Sequence, residues 1–506
     1  MIFGAVSVYF LWAGLLILQG PGLQYDEALL VLGGVHMRHS PAELQLPHDP
    51  NTWFCPLGRC FPLMTVRYVG AIKDYLSLPL FALFGPSAEI VRLVSTLLGA
   101  LGIWGIARLV EDQAGAPAAA LTALLIAMNP AYVDLTVFDN GTAALWMGAF
   151  GMVCLGIARY LRKKDGAAAF LLGIAMGLGI WARANFLWLI LAMFGAVAIV
   201  LRGRMRVRIS QMAAASLGAI AGGAPFLLYQ VISHGGTWQG VGMFTLHQSI
   251  GRLLPARLVM FSEIFLSDRE HRAIWNAPPM PPWQHWLFPA IVLSACAVCL
   301  MSRSLAARVA AMTFLFLSAF LFLSKVPVVE HHLIALVPLA AAIAVLGAFT
   351  IVERSGWGKS AMALLGLIYI GSAIYWQVAA VRGIARTGGV GQWSDAVESL
   401  SDYLQSRYPG REIQILDWGL QNNLFVLSDG KIRSREIYDE QLAYWVERMR
   451  SGGVFVMNGP QNRQLPAVSS RFLQALELTH PTIRRVTVSQ ASGTPYAEIF
   501  EISPAP

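Results

Sequence analysis

The chain is poor in charge. Only 13% of its 506 residues are Asp, Glu, Lys or Arg, while 56% are hydrophobic; a soluble protein carries roughly 25% charged residues. That shortage excludes a soluble globular domain and leaves a polytopic membrane protein, each span needing about 20 apolar residues. The formal net charge is +8, yet no long basic run exists. The basic residues fall in short clusters between apolar stretches, which argues against nucleic acid as a partner and reads as a positive-inside signal. Also missing are a basic segment before the first apolar stretch, Ile2 to Leu18, and a small-x-small site after it. That stretch therefore reads as an uncleaved span rather than a signal peptide. No repeat of the solenoid type is present.

Cysteine is sparse as well, with five residues. Cys55 and Cys60 share one loop, expected outside the cytoplasm, where a disulfide between them is favoured. Cys154, Cys296 and Cys299 fall in apolar spans. Cys296-Ala-Val-Cys299 has redox-motif spacing but reads as small-residue packing in a lipid-embedded helix.

Four basic clusters orient the spans. They are Arg159/Arg162/Lys163/Lys164, Arg202/Arg204/Arg206/Arg208, Arg303/Arg308 and Arg354/Lys359. Placing all four in the cytoplasm requires an even number of crossings between neighbours, and the intervening apolar stretches supply it. The result is about eleven transmembrane helices, with residues 20–87 and 232–283 forming two large outer loops. The proline-broken stretch from Tyr68 to Pro86 is too short to span without reversing everything downstream, so it reads as a helix embedded in the outer leaflet. The expected transmembrane domain covers 1–382. From 383 to 506 the composition changes to short buried strands (412–416, 453–457, 483–489, 496–502) and a helix (469–478), which read as a small extracytoplasmic α/β domain. The fold class is thus a polytopic α-helical membrane protein with an appended α/β domain.

This topology gathers the unusual polar residues on the outer face. Asp26 and Glu27 follow the first span. Lys73 and Asp74 lie on the leaflet-embedded helix, and Arg92 opens the next span. Asp134, Asp139 and Asn140 end the third, Arg183 and Asn185 occupy the turn Trp181–Phe186, and Lys325, Glu330, His331 and His332 another turn. Ionisable groups at a membrane are expensive and mark function. Bland readings stand beside the chemical ones: Asp26 as a helix-capping acid, Lys73 as a snorkelling side chain, Arg92 as a headgroup anchor, Asp139 as a helix start.

The Asp26-Glu27 pair after the first span resembles the GT-C glycosyltransferases, as in protein O-mannosyltransferases and lipid A aminoarabinose transferases. So does Gly70-Ala-Ile-Lys73-Asp-Tyr-Leu-Ser-Leu-Pro-Leu-Phe-Ala-Leu-Phe-Gly85 followed by Glu89-Ile-Val-Arg92-Leu, and Asp139 matches a second acidic position. The chain has Lys73-Asp74-Tyr75 where the aminoarabinose transferases carry Lys-Pro-Pro. The resemblance spans about residues 1–380. It implies an inverting glycosyltransferase that moves a sugar from a polyprenyl-phosphate donor to a glycan, lipid or protein acceptor. Asp26 is the expected general base, with Glu27 and Asp139 as further catalytic-site acids. Lys73, Arg92, Arg183, His331 and His332 are expected to hold the donor phosphate, and Tyr25, Trp53, Tyr75 and Asn140 to contact substrate. Glu27 keeps three open roles: orienting the acceptor, joining a divalent metal site, or solvating the loop. A divalent metal is accordingly the one cofactor left open. Adjacent His331 and His332 cannot form a strong metal site by themselves. Alanine-rich spans suggest a bacterial inner membrane with the site on the periplasmic or exterior face. The alternative reading is a flippase or transporter of a lipid-linked saccharide, which would set polar residues through the bilayer midplane.

Overall fold

The computed structural model describes residues 1–39, 50–202, 208–243, 245–352, 356–438 and 441–504. Among these, seven helices are long and apolar enough to cross a membrane, or eight if the pair Ile209–Gly222 and Ala224–Ile232, bent by 64°, is one span. Two shorter apolar helices, Gly166–Ala182 and Phe186–Leu201, lie between them. The first helix, Ile2–Gln19, stops at Gly20 (φ 32°), whose N–H bonds back to Leu16 and Ile17 before Pro21 prevents continuation. Residues 88–128 run as a single helical element, but Gly115 at φ 84°, two residues before Pro117, divides it. The two expected spans, 88–110 and 117–133, meet there. The second is cut at Asn129, whose side chain caps the next helix, Pro130–Val137.

Small residues set the closest helix contacts. Gly173 and Gly177 face Gly218 and Gly222, and a Cβ at any of the four would overlap a carbonyl of the opposing helix. This is the small-xxx-small packing that lets backbones approach in lipid. The break after Gly222 is followed at once by Pro225 in the first turn of the next helix, where its missing N–H is tolerated.

Between the first helix and residue 88 the chain builds a platform. Strands β1 (Trp53–Phe54) and β2 (Phe61–Pro62) form an antiparallel hairpin closed by the expected Cys55–Cys60 disulfide. Strands β3 (Met64–Val66) and β4 (Val69–Gly70) form a second hairpin, and the helix Ile72–Phe84 follows. The turn at Arg183 is stitched to this platform. Val69 bridges Arg183, the Ala184 N–H donates to the Tyr68 carbonyl at 3.0 Å, and the Trp181 indole donates to Leu63 at 2.7 Å.

The last long helix, Gly356–Thr387, runs past the expected end near 380. Beyond it lies a five-stranded sheet with strands β5 (Glu412–Ile415), β6 (Arg433–Glu436), β7 (Gly453–Asn458), β8 (Ile483–Ser489) and β9 (Pro495–Ile502). Their order is β6-β5-β7-β9-β8, with β6, β5 and β7 parallel and the others antiparallel. Alternation divides the residues between two apolar faces. Ile413, Ile415, Val454 and Val456 pack with Val397, Leu400 and Leu404, whereas Phe455 and Met457 pack with Trp445 and Phe472. The edge strand β6 reads Arg-Ser-Arg-Glu and has no apolar alternation to signal it. This tail docks on the start of the platform: Val426 joins Leu23, Ala28, Val31 and Val35, and Arg38 pairs with Asp429 at 2.7 Å.

Candidate active site

Asp139, Lys73, Arg183, His331, His332 and Asp26 meet at the ends of five helices. Asp139 adopts left-handed backbone (φ 47°), as do Gly141 (φ 63°) and Thr142 (φ 71°). Such conformations in non-glycine residues are costly and concentrate where surroundings enforce them. Here two contacts enforce it. One Asp139 carboxylate oxygen accepts the Ala144 N–H at 2.7 Å, capping the helix Ala143–Lys163, and the other takes the Lys73 ammonium at 2.7 Å. Lys73 and Asp139 are both fully buried, so Lys73 does not snorkel to the interface.

Arg183 is the centre of the cluster. Its Nη1 donates to the Gly141 carbonyl, and its Nη2 lies 3.2 Å from His331 Nε2 and 2.7 Å from His332 Nε2. The His331 ring rests on Gly141, where a Cβ would overlap it; glycine is required there for contact as well as for φ. His332 is over-committed. A neutral imidazole has one lone pair, yet Nδ1 faces the Val329 N–H at 3.1 Å while Nε2 faces the guanidinium. Both ring nitrogens thus face donors, the Val329 N–H and the Arg183 guanidinium, and the neutral ring has one lone pair for the two.

Asp26 lies on the short helix Tyr25–Leu29, capped by Gln24. Its half-buried carboxylate has no hydrogen-bond partner among the described residues. Burial raises its pKa above the ordinary carboxylate value, with Arg183 opposing and Glu27 adding to the rise. Burial likewise pulls the Arg183 guanidinium down to about 10, while Tyr68, Asp139 and Asp26 hold it up.

Glu27 and Arg92 require correction. Arg92 grips both Glu27 oxygens through Nε and Nη2 (2.9 Å each), and donates to the Pro21 and Gly22 carbonyls at 2.7 and 2.9 Å. Phe138 covers the guanidinium at 5.0 Å. Glu27 also closes a capping box by accepting the Gln24 N–H. The two residues therefore tie the start of the platform to the helix at Ala88, with no N–H fork left for a phosphate and no carboxylate left for an acceptor.

The expected substrate contacts divide too. Trp53 is buried edge-on against His36 and offers no face to a sugar, a second correction. Tyr75 donates to the Pro62 carbonyl at 2.8 Å. Tyr25 reaches the tail, donating to Glu436 at 3.1 Å and lying 4.7 Å from the Trp418 ring. Asn140 follows Asp139 in the short turn Asn140–Thr142 and is half-buried. Sequence reasoning missed Arg269, which pairs with Glu330 at 2.7 Å, and His271, which lies 2.9 Å from Asp134. The run Asp268-Arg-Glu-His-Arg272, dense in charge within an apolar chain, was the available signal. As for a metal, Glu27 is held by Arg92 and Asp139 by Lys73. Among the described residues no three His, Cys, Asp or Glu side chains gather closely enough to hold an ion.

Residues 73–229 match the family described as dolichyl-phosphate-mannose-protein mannosyltransferase. A search of curated protein sequences gives no match. Among solved structures, ArnT from Cupriavidus metallidurans in the apo state is similar over 98% of this chain and 96% of its own, with 13% identity and a TM-score of 0.56. The same protein bound to undecaprenyl phosphate gives 11% identity, 98% and 97% coverage and a TM-score of 0.57. The Archaeoglobus fulgidus oligosaccharyltransferase in the apo form is 14% identical over 100% of this chain and 74% of its own, with a TM-score of 0.53. The chain has the GT-C fold of membrane glycosyltransferases. Within the GT-C fold the matched segment begins at Lys73 and takes in Asp139 and Arg183.

Proposed function

We propose that this membrane glycosyltransferase moves a sugar, with inversion, from a polyprenyl-phosphate donor to an acceptor at the outer face of the membrane. The observation that carries the reading is Asp26: a half-buried carboxylate free of hydrogen-bond partners among the described residues, within the field of Arg183. The acceptor hydroxyl gives its proton to Asp26 as its oxygen bonds to the anomeric carbon. The bond from that carbon to the phosphate oxygen breaks, and its electron pair leaves on the polyprenyl phosphate. A single displacement needs one base and no carboxylate nucleophile. Negative charge growing on the leaving phosphate falls to Arg183, the His331–His332 pair and Lys73. Asp139 serves by holding Lys73 and fixing the loop beneath Arg183.

The topology is part of the proposal. The break at Gly115 supports two crossings in 88–128, and counting the bent pair and both shorter helices as crossings gives eleven. The convergence of helix ends on one cluster supports a single active face, which we place on the outer side of a bacterial inner membrane. It also favours transfer over a flippase, whose charges would be spread along the spans.

Asp26→Asn tests the assignment. Transfer from a panel of polyprenyl-phosphate sugars is expected to fall about a thousandfold, with undecaprenyl phosphate still bound and the melting temperature unchanged. Transfer at the wild-type rate would remove Asp26 as the base.

A further inference from the structure

Asp26 rides on a helix of only five residues, Tyr25–Leu29. A single turn is not stable by itself, so its place is set by what it packs against. One side of it meets the turn Asn140–Thr142 that follows Asp139. The membrane domain grips it at Glu27, through the Arg92 clasp. The other grip comes from the tail. The Gly22 N–H donates to the Trp393 carbonyl at 2.7 Å, and the Ser394 carbonyl lies so close that a Cβ at Gly22 would overlap it. The buried Asn423 amide donates to the Leu23 carbonyl at 3.3 Å. The Tyr25 hydroxyl donates to Glu436 at 3.1 Å, and its ring lies 4.7 Å from that of Trp418. Further along the helix, Ala28 packs with Val426.

These contacts come from separate parts of the tail: the entry to the helix Ala396–Arg407, the helix Gln421–Leu427 with the turn before it, and the edge strand β6. All of them converge on the short segment that carries Asp26. Neighbouring positions on a helix face different ways, so Tyr25 can spend its side chain on the tail while Asp26 keeps its carboxylate free of it. Without the tail contacts, the Glu27–Arg92 clasp still holds one corner of the helix, and the helix can turn about that corner. The displacement then falls on Asp26, next to the clasp, and spares Lys73, Arg183 and the two histidines, none of which sits on this helix.

We infer that the tail is part of the catalytic apparatus: Trp418 and Glu436 are positioning residues that act through Tyr25 to aim Asp26 at the acceptor hydroxyl. The inference rests on the reading of Asp26 as the base. Trp418 is half-buried and belongs to neither apolar face of the tail sheet, so truncating it leaves the core of the tail in place.

The test compares the full-length wild type, Trp418→Ala and Trp418→Phe in detergent. In Trp418→Ala, amide exchange over residues 22–31 should quicken about tenfold, the worth of a lost aromatic pair, while exchange over residues 139–144 stays at the wild-type rate. Undecaprenyl phosphate should bind as before. Turnover with the panel of polyprenyl-phosphate sugars should fall about a hundredfold, the effect of a misplaced catalytic group. Trp418→Phe keeps a ring against Tyr25 and should recover most of both losses. Where Trp418→Ala does not fold, Tyr25→Phe deletes only the hydroxyl that Glu436 accepts, and should lower turnover about fivefold with undecaprenyl phosphate binding unchanged. Wild-type turnover in these variants, or a loss of undecaprenyl phosphate binding as large as the loss of turnover, would overturn the positioning role. If instead Asp26→Asn transfers as fast as wild type, the base reading falls, and this inference with it.

Discussion

Two buried guanidiniums, Arg92 and Arg183, use their N–H groups differently. Arg92 meets both oxygens of Glu27 and two backbone carbonyls, so its charge is cancelled and four of its five N–H groups are taken. Arg183 has one carbonyl and two imidazoles, and among the described residues no carboxylate is bonded to it. Burying a charge is repaid only by a partner of good geometry, and the Arg92 site is repaid in full. At the Arg183 site the guanidinium shares His332 with the Val329 N–H, one lone pair facing two donors. Saturation separates scaffold from site here better than burial does, since both arginines are almost wholly buried.

The largest expected effect that would break this comparison lies at Arg92. Arg92→Leu leaves Glu27 buried and unpaired, which should cost about 3–5 kcal/mol and appear as a sharp fall in melting temperature in detergent. Adding Glu27→Gln should return part of that loss, because the stranded charge is then gone. An Arg92→Leu protein that melts with wild type would mean the pair is not the clasp described. Arg183→Gln should do the opposite, leaving the melting temperature nearly unchanged while weakening undecaprenyl phosphate binding about tenfold, the worth of a charge-assisted hydrogen bond. If Arg183→Gln unfolds the protein and Arg92→Leu does not, the roles are reversed.

The sequence could carry the Arg183 site because each of its residues is a charge stranded at the end of an apolar run, and such a residue is visible one at a time. Crossing parity then brought Asp26, Lys73, Asp139, Arg183 and the histidines to one face. What it could not carry is pairing. Nothing local tells that Glu27 will take Arg92 from 65 positions away, so the two Asp26-Glu27 carboxylates look alike until a partner is placed. Trp53 looked available for a sugar for the same reason, its burial depending on His36 across the loop. The tail strands β5, β7, β8 and β9 were legible through their apolar pattern. The charged edge strand β6 was not, because an edge buries too little to impose alternation. The helix Asp268–Trp275 escaped because its charges serve neighbours distant in sequence.

A third way of burying a charge, giving it up, is visible at Asp74, and it yields the smallest effect. Asp74 is 1% exposed, and its neighbour Lys73 pairs elsewhere, with Asp139. Among the described residues it has no cation of its own. Its Oδ1 accepts the Gly34 N–H at 3.0 Å, and the carboxyl packs so closely on Gly33 that a Cβ there would strike it. Burial pushes its pKa up to about 8, against the Gly34 and Gly33 N–H groups, Thr65 and Lys73. The folded chain therefore keeps a proton that the unfolded chain loses above the ordinary carboxylate range. Stability contributed by this group must fall as pH rises through that window and level off above about pH 8. Asp74→Asn keeps an acceptor for Gly34 and cannot ionise, so the slope should vanish. Melting temperatures of the two proteins, measured in detergent between about pH 5 and pH 8, should draw apart as wild type declines. Parallel curves would mean that Asp74 is ionised when folded and that an acid without a paired cation can be buried here at no cost, which would undo the rule drawn from Arg92 and Arg183.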